Sequence, residues 1–179
     1  MGKYFDTLSE AMNMLAQDPR TLFLGQSVRW DGHSLYRTMV GVPEEKRLEM
    51  PVAEDFQMGF STGLALQGVI PVTIYPRWDF LLLAANQLVN HLDKIPIVSR
   101  GEFKPKVIIR VSVGATSPLH PGIQHCQNHT VAFKKMLQTV EVIEMFNSKD
   151  ILPAYEKALN RTDGKSTLLV EYAENYNGD

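Results

Sequence analysis

Apolar positions along the chain follow two alternating rhythms. Short β-branched runs, VIPVTIY at 69–75 and KVIIRVSV at 106–113, place apolar residues on consecutive positions, as strands covered on both faces do. Between such runs the apolar spacing is helical. Residues 4–16 put Phe5, Leu8, Met12 and Leu15 on one face, and Asp18-Pro19 closes that helix. TLFLGQSV (21–28) predicts a strand ending at Gly25, and RLEMPV (47–52) contains a short strand. EMPVAEDFQMGFSTGLALQG (49–68) predicts a helix running up to Gly68. DFLLLAANQLVNHLDK (79–94) predicts a strong helix with Asp79 as its N-cap. Gly, Pro, Ser and Thr make 114–126 a loop; a helix over 127–138, a strand over 140–146, a helix over 150–160 and a strand over 167–172 complete the pattern. The polar tail YAENYNGD is expected to fray.

This alternation implies parallel strands joined by helical crossovers: an α/β fold with an open, mainly parallel sheet and helices on both faces. Ligands of such sheets bind outside the carboxyl ends of the strands, so the loops after Gly25, Met50, Tyr75 and Val113 are expected to share one rim. The 179 residues suit a single domain with a full core.

Charge and cysteine content narrow the partners. A formal charge of −2 gives no electrostatic reason to expect nucleic acid or an anionic membrane surface. The single cysteine, Cys126, excludes an intrachain disulfide and a multi-cysteine zinc site, and no metal site is expected. With no apolar run of spanning length and no signal-peptide pattern in MGKYFDTLSEAM, a soluble cytoplasmic domain is the expectation. The chain has neither G-x-G-x-x-G nor G-x-x-x-x-G-K-[ST] to cradle nucleotide phosphates, and no G-x-S-x-G elbow.

Chemistry concentrates in 49–68. Glu54 stands in the first turn of its predicted helix, where the helix dipole favours any carboxylate, so an ordinary charged helix start is one reading and a functional acid the other. Gly59 and Gly63 flatten one side of that helix at a cost of about 1 kcal/mol each relative to alanine. They suit close packing either on the domain's own sheet or between subunits.

The run from Pro51 to Lys94 resembles, without gaps, the pyrimidine-binding domain of thiamine-diphosphate enzymes. The likeness is greatest to the beta subunit of the 2-oxo acid dehydrogenase first component, in the transketolase-like superfamily. It rests on Pro51-Val52-Ala53-Glu54, the Gly59/Gly63 helix, Gly68-Val69-Ile70-Pro71, the aromatic turn Tyr75-x-x-Trp78-x-Phe80, and Asn86-Gln87-Leu88-Val89-Asn90. The later run KVIIRVSVGATSPLHPGIQHCQ is similar to the family's substrate strand and Q-H loop, which places Arg110, Gln124 and His125. The resemblance implies that Glu54 hydrogen-bonds the aminopyrimidine ring of the cofactor and activates it. Phe80 or Trp78, with Tyr75, would flank the pyrimidine, Phe80 being favoured by register. His125 would face the substrate as a proton donor or as a hydrogen bond to the developing oxyanion. Arg110 and Gln124 would lie on the substrate side, and Gly59 and Gly63 at a subunit interface.

Residues 1–179 are then expected to form a single pyrimidine-binding domain, with the diphosphate-binding and C-terminal domains of the family outside this chain. Thiamine diphosphate would be shared with an alpha-type, diphosphate-binding subunit that holds the magnesium ion, in a heterodimer or heterotetramer. The reaction implied is decarboxylation of, or acyl transfer from, a 2-oxo acid. A split transketolase-like ketol transferase is the alternative within the enzymes, and a non-catalytic scaffold subunit is the alternative outside them. Three local departures from the family stand out: Gln26-Ser27 follows Gly25 in place of an acid, Gln67 takes the place of a third small helix residue, and Arg110 is followed by valine with a loop two residues longer before His125.

Overall fold

The computed structural model describes residues 2–177. Six strands, β1 (Thr21–Gly25), β2 (Arg47–Glu49), β3 (Ile70–Tyr75), β4 (Ile108–Val113), β5 (Glu141–Met145) and β6 (Thr167–Tyr172), form one sheet in the order β2-β1-β3-β4-β6-β5. Every pair is parallel. The open α/β sheet expected from the pattern is present. From β1 the chain leaves towards β2, and from β3 it leaves in the opposite direction towards β4. The crevice at the carboxyl ends of β1 and β3 is therefore the topological switch point, where sheets of this kind bind ligands.

The helices are α1 (Lys3–Gln17), α2 (Ser34–Arg37), α3 (Glu54–Leu66), α4 (Trp78–Leu81), α5 (Ile95–Val98), α6 (Thr130–Met136) and α7 (Ser148–Asn160). Strand alternation divides the core in two. Ile70, Val72, Ile74, Ile108 and Leu169 point to the face covered by α1 and α7. Ile109, Val111, Leu168 and Val170 point to the other, with Met58 of α3, Trp78 of α4 and Phe133 of α6. Both faces are covered, which is why the strands read as continuous apolar runs.

Three local expectations differ from the fold. The helix predicted over 79–94 is broken into α4, a 3-10 turn at Leu82–Ala84 and a π-helical stretch at Gln87–Leu92. Asp79 is not its N-cap: that position falls to Arg77, which makes no side-chain cap bond, while Asp79 Oδ1 accepts from Gln127 Nε2 at 2.6 Å. The tail does not fray up to Asn177. Ala173–Asn177 forms a 3-10 turn that buries Tyr176 between Tyr4 and Phe5, and its hydroxyl donates to Glu171 at 2.8 Å. Hydrophobic anchoring by one tyrosine outweighs the polar composition around it.

Asp93, at the end of the π-helical stretch, fastens this irregular segment to the entry of β5. Its carboxylate accepts from the backbone N–H groups of Gln138, Thr139 and Val140 at 2.8–3.1 Å.

Candidate active site

The loops after β1, β3 and β4 meet at the switch point and enclose a pocket of about 270 Å³ lined by Gln26, Ser27, Gly32, His33, Pro76, Arg77, Phe80 and His125. Each reaches the rim for a local reason. Gly25 ends β1 against β3, and a Cβ there would stand 2.8 Å from the Ile74 carbonyl oxygen. The chain then turns sharply, because the Glu49 carboxylate on neighbouring β2 gathers the N–H groups of Ser27, Val28 and Arg29. Gly114, at the end of β4, lies directly beneath the His125 carbonyl, where any Cβ would collide with it. The loop can therefore fold back over the strand end and carry His125 to Phe80, ring centroids 5.7 Å apart and edge to face.

Glu54 is the first residue of α3 and only 6% exposed. Its Oε1 accepts from Gln26 Nε2 at 2.9 Å, and its backbone carbonyl accepts from the Tyr75 hydroxyl at 3.3 Å. Oε2 accepts no hydrogen bond from the described residues. Glu54 is thus one hydrogen bond behind the pocket wall formed by Gln26. His33 fixes that wall from the other side: its Nε2 is 2.8 Å from the Gln26 carbonyl, and its Nδ1 accepts from Tyr36 N–H at 3.3 Å. The Nε2–H tautomer satisfies both contacts. Burial, with the charges of Arg110 and Arg77, holds the His33 imidazole below its usual value against the opposing pull of Gln26 and Glu49.

The residues singled out from the sequence divide sharply. Glu54, Phe80 and His125 converge on the crevice. Trp78 does not reach it: the indole is fully buried and packs against Phe133, ring centroids 5.0 Å apart, because the first turn of α4 directs it into the core. Tyr75 likewise points into the same core, and only its hydroxyl approaches Glu54. Arg110 is a correction of the same kind. As the middle of β4 it is fully buried on the α1 side, forked onto Glu171 at 3.0–3.2 Å and donating to Thr38 at 2.8 Å. It holds the sheet together and faces no pocket. Gln124 is exposed on the 3-10 turn Ile123–His125 and does not line the crevice. Gly63 is exposed with open space around it, whereas a Cβ at Gly59 would meet the Gln87 side chain at 3.4 Å.

His33 and Arg77 were not among the sequence-derived site residues. The available signal was their position, since each lies in a loop leaving the carboxyl end of a strand at the switch point. Among the described residues no cluster of three or more His, Cys, Asp or Glu is placed to hold a metal ion, and no helix is long and apolar enough to cross a membrane.

This fold is that of the transketolase-like enzymes. Over 98% of this chain and 51% of the other, it superposes on a split-gene transketolase, an inactive beta4 tetramer, with a TM-score of 0.68 and 17% identity. Transketolase from Leishmania mexicana gives the same TM-score at 16% identity, over 93% of this chain and 24% of that one. By sequence the relatives are narrower in kind: the chain is related to the beta subunits of 2-oxo acid dehydrogenase first components. It is 30% identical to pyruvate dehydrogenase E1 component subunit beta-4, chloroplastic, of Oryza sativa, over 97% of this chain and 43% of that protein. It is 31% identical to the E1 beta subunit of Chaetosphaeridium globosum, over 97% and 53%. The 2-oxoisovalerate dehydrogenase subunit beta of Bacillus subtilis is 25% identical over 84% and 47%. The chain thus spans about half the length of these relatives. No protein-family model matches it.

Proposed function

We propose that the chain is the pyrimidine-binding part of a thiamine-diphosphate-dependent enzyme acting on a 2-oxo acid, with Glu54 and His125 as its catalytic residues. The observation that carries this reading is a switch-point pocket lined by the half-buried Phe80 and by His125, with the buried Glu54 one hydrogen bond behind its Gln26 wall, in a chain whose relatives are E1 beta subunits. These residues fit the cofactor's pyrimidine. Among the described residues Glu54 keeps one carboxylate oxygen free of donors, which suits a hydrogen bond to a ring nitrogen, and Phe80 offers an aromatic surface to its flank. When bound, thiamine diphosphate supplies the carbon nucleophile and the electron sink for cleavage beside a carbonyl.

The protein's part is positional and protic. Gln26 orients the Glu54 carboxylate, Glu54 holds a proton towards the pyrimidine nitrogen, and His125 donates to the oxygen that gains charge on the substrate. The cofactor's diphosphate, with magnesium, would be held by a domain outside these 179 residues, on an alpha-type partner in a hetero-oligomer. The chain alone is then expected to be inactive.

The test is to co-purify the chain with a diphosphate-binding partner and measure thiamine-diphosphate binding by calorimetry, then turnover on a panel of 2-oxo acids and ketose phosphates. Glu54→Gln is expected to lower turnover by at least 100-fold, the scale of losing a positioned acid–base group. Undiminished binding and turnover in that variant would remove Glu54 from the mechanism. Turnover of ketose phosphates alone would favour the split-transketolase reading, to which the fold similarity lends support. A complex that forms without binding the cofactor would favour a scaffold role.

A further inference from the structure

Beyond the crevice the rim continues into a second cleft of about 390 Å³, whose wall includes Arg37, Arg77, Ser34, Ser117 and the apolar side chains of Leu119 and Pro121. Arg77 belongs to both cavities, so it stands between the pocket of Phe80 and His125 and this outer cleft. Its stem packs against Gly114, where a Cβ would lie 3.3 Å from Arg77 Cδ. Neither arginine is committed to a strong internal pair. Among the described residues Arg77 makes no ion pair, and Arg37 faces Asp31 at 3.6 Å with both side chains 56% exposed, an interaction of little strength in water. The carboxylate lining the outer cleft, Glu174, is turned to Thr116, accepting from its N–H at 3.3 Å and its hydroxyl at 2.8 Å. His33 adds no free donor, because its Nε2 is already taken by the Gln26 carbonyl.

We propose that Arg77 and Arg37 form an anion subsite that takes the far, negatively charged end of the substrate, a phosphate ester or a second carboxylate. The proposal rests on the reading of the inner pocket as the reaction site and deepens it by naming the substrate class: a 2-oxo acid with an anionic tail. A guanidinium presents paired N–H donors that match either group, and Arg37 and Arg77 both line this one concavity. The apolar side chains of the cleft suit the carbon chain that joins the tail to the reacting carbonyl.

The test needs neither cofactor nor turnover. Arginine Nε–Hε resonances of the chain are followed by NMR during titration with inorganic phosphate and, separately, with glutarate, at constant ionic strength against chloride. Saturable shifts of Arg77 and Arg37 together are expected, with at least 10-fold weaker binding in Arg77→Gln and no change in Arg20→Gln, which alters the amino end of β1, at the other end of the strands. A response to phosphate alone assigns a phosphate ester, and one to glutarate alone assigns a carboxylate. If neither anion moves these resonances more than chloride does, or if R77Q binds as the wild type does, the subsite does not exist. Because thiamine-diphosphate binding is measured separately, failure here leaves the reaction-site reading standing, and failure there leaves this measurement intact.

Discussion

Gly114 and Arg110 lie four residues apart, and together they separate what positions the pocket loop from what holds the sheet. Gly114 positions the loop that carries His125, since only a residue without Cβ lets the His125 carbonyl settle on the end of β4. Gly114→Ala is expected to lift the 114–126 loop and break the edge-to-face contact between His125 and Phe80, while the core remains folded. The measurement is the ring-current shift of the His125 ring protons: it should vanish in the variant, and its persistence would show that the loop is placed by other contacts. Arg110 has the opposite role. Burial would lower its pKa, but the Glu171 carboxylate beside it outweighs that and raises it, so the guanidinium stays charged inside the protein. Removing one charge strands the other, and Arg110→Ala is expected to destabilise the chain by ~3–5 kcal/mol in denaturant unfolding. A variant of near wild-type stability would contradict the structural role. The sequence motif located this arginine on the correct strand, but not the direction of its side chain. Direction depends on the strand's register against β6, and one residue either way would have turned it to the other face. Tyr75 at a strand end and Trp78 in the first turn of α4 were open in the same way, whereas the helix start at Glu54 and the strand-end loop of His125 leave fewer directions open, and both lie at the crevice.

At the scale of elements, the strands were legible to within about two residues because β1, β3, β4 and β6 are buried almost throughout and mostly apolar. The 79–94 helix was not, since apolar periodicity records which face is buried and carries little trace of a switch from i→i+4 to i→i+3 or i→i+5 bonding. What anchors that irregular segment is polar and distant in sequence: Asp93 collecting three N–H groups more than 40 residues away. Burial alone would raise the Asp93 carboxyl, but the Lys94 ammonium and these N–H donors together hold it below the ordinary aspartate value. A carboxyl whose folded value is depressed contributes stability above its unfolded value, near 4, and loses that contribution as pH falls through the folded value. Asp93→Asn is therefore expected to cost ~2 kcal/mol at neutral pH, from weakened hydrogen bonds to the entry of β5. The difference from wild type should shrink as pH drops below about 4. Urea midpoints for both proteins between pH 7 and 3 check this, and a pH-independent difference would rule out the ionised clamp.

For the whole molecule, the two cores account for both sheet faces but leave one helix surface uncovered. Phe56, Phe60 and Leu66 project outward along α3, with exposed Val52 just before it and Leu82 and Leu83 on the neighbouring turn, and Gly63 open among them. An apolar surface of this breadth on a chain of this size is a mark of association, and it adjoins the end of α3 that carries Glu54. On the proposed function, assembly and chemistry would be coupled through one helix, whose outer side would meet a partner while its first residue would face a shared cofactor. Gly63→Leu separates the two roles. The added side chain meets nothing in this chain and replaces a residue of poor helix propensity, so thermal stability of the isolated chain is expected to stay level or rise by up to ~1 kcal/mol. The same side chain would stand in the path of a closely packed partner helix. Co-purification with a diphosphate-binding subunit should therefore fall at least 10-fold, with light scattering reporting the shift from complex to free chain. If the complex forms undiminished around Gly63→Leu, the contact lies elsewhere on the molecule, and the open face of α3 plays no part in bringing Glu54 to its cofactor.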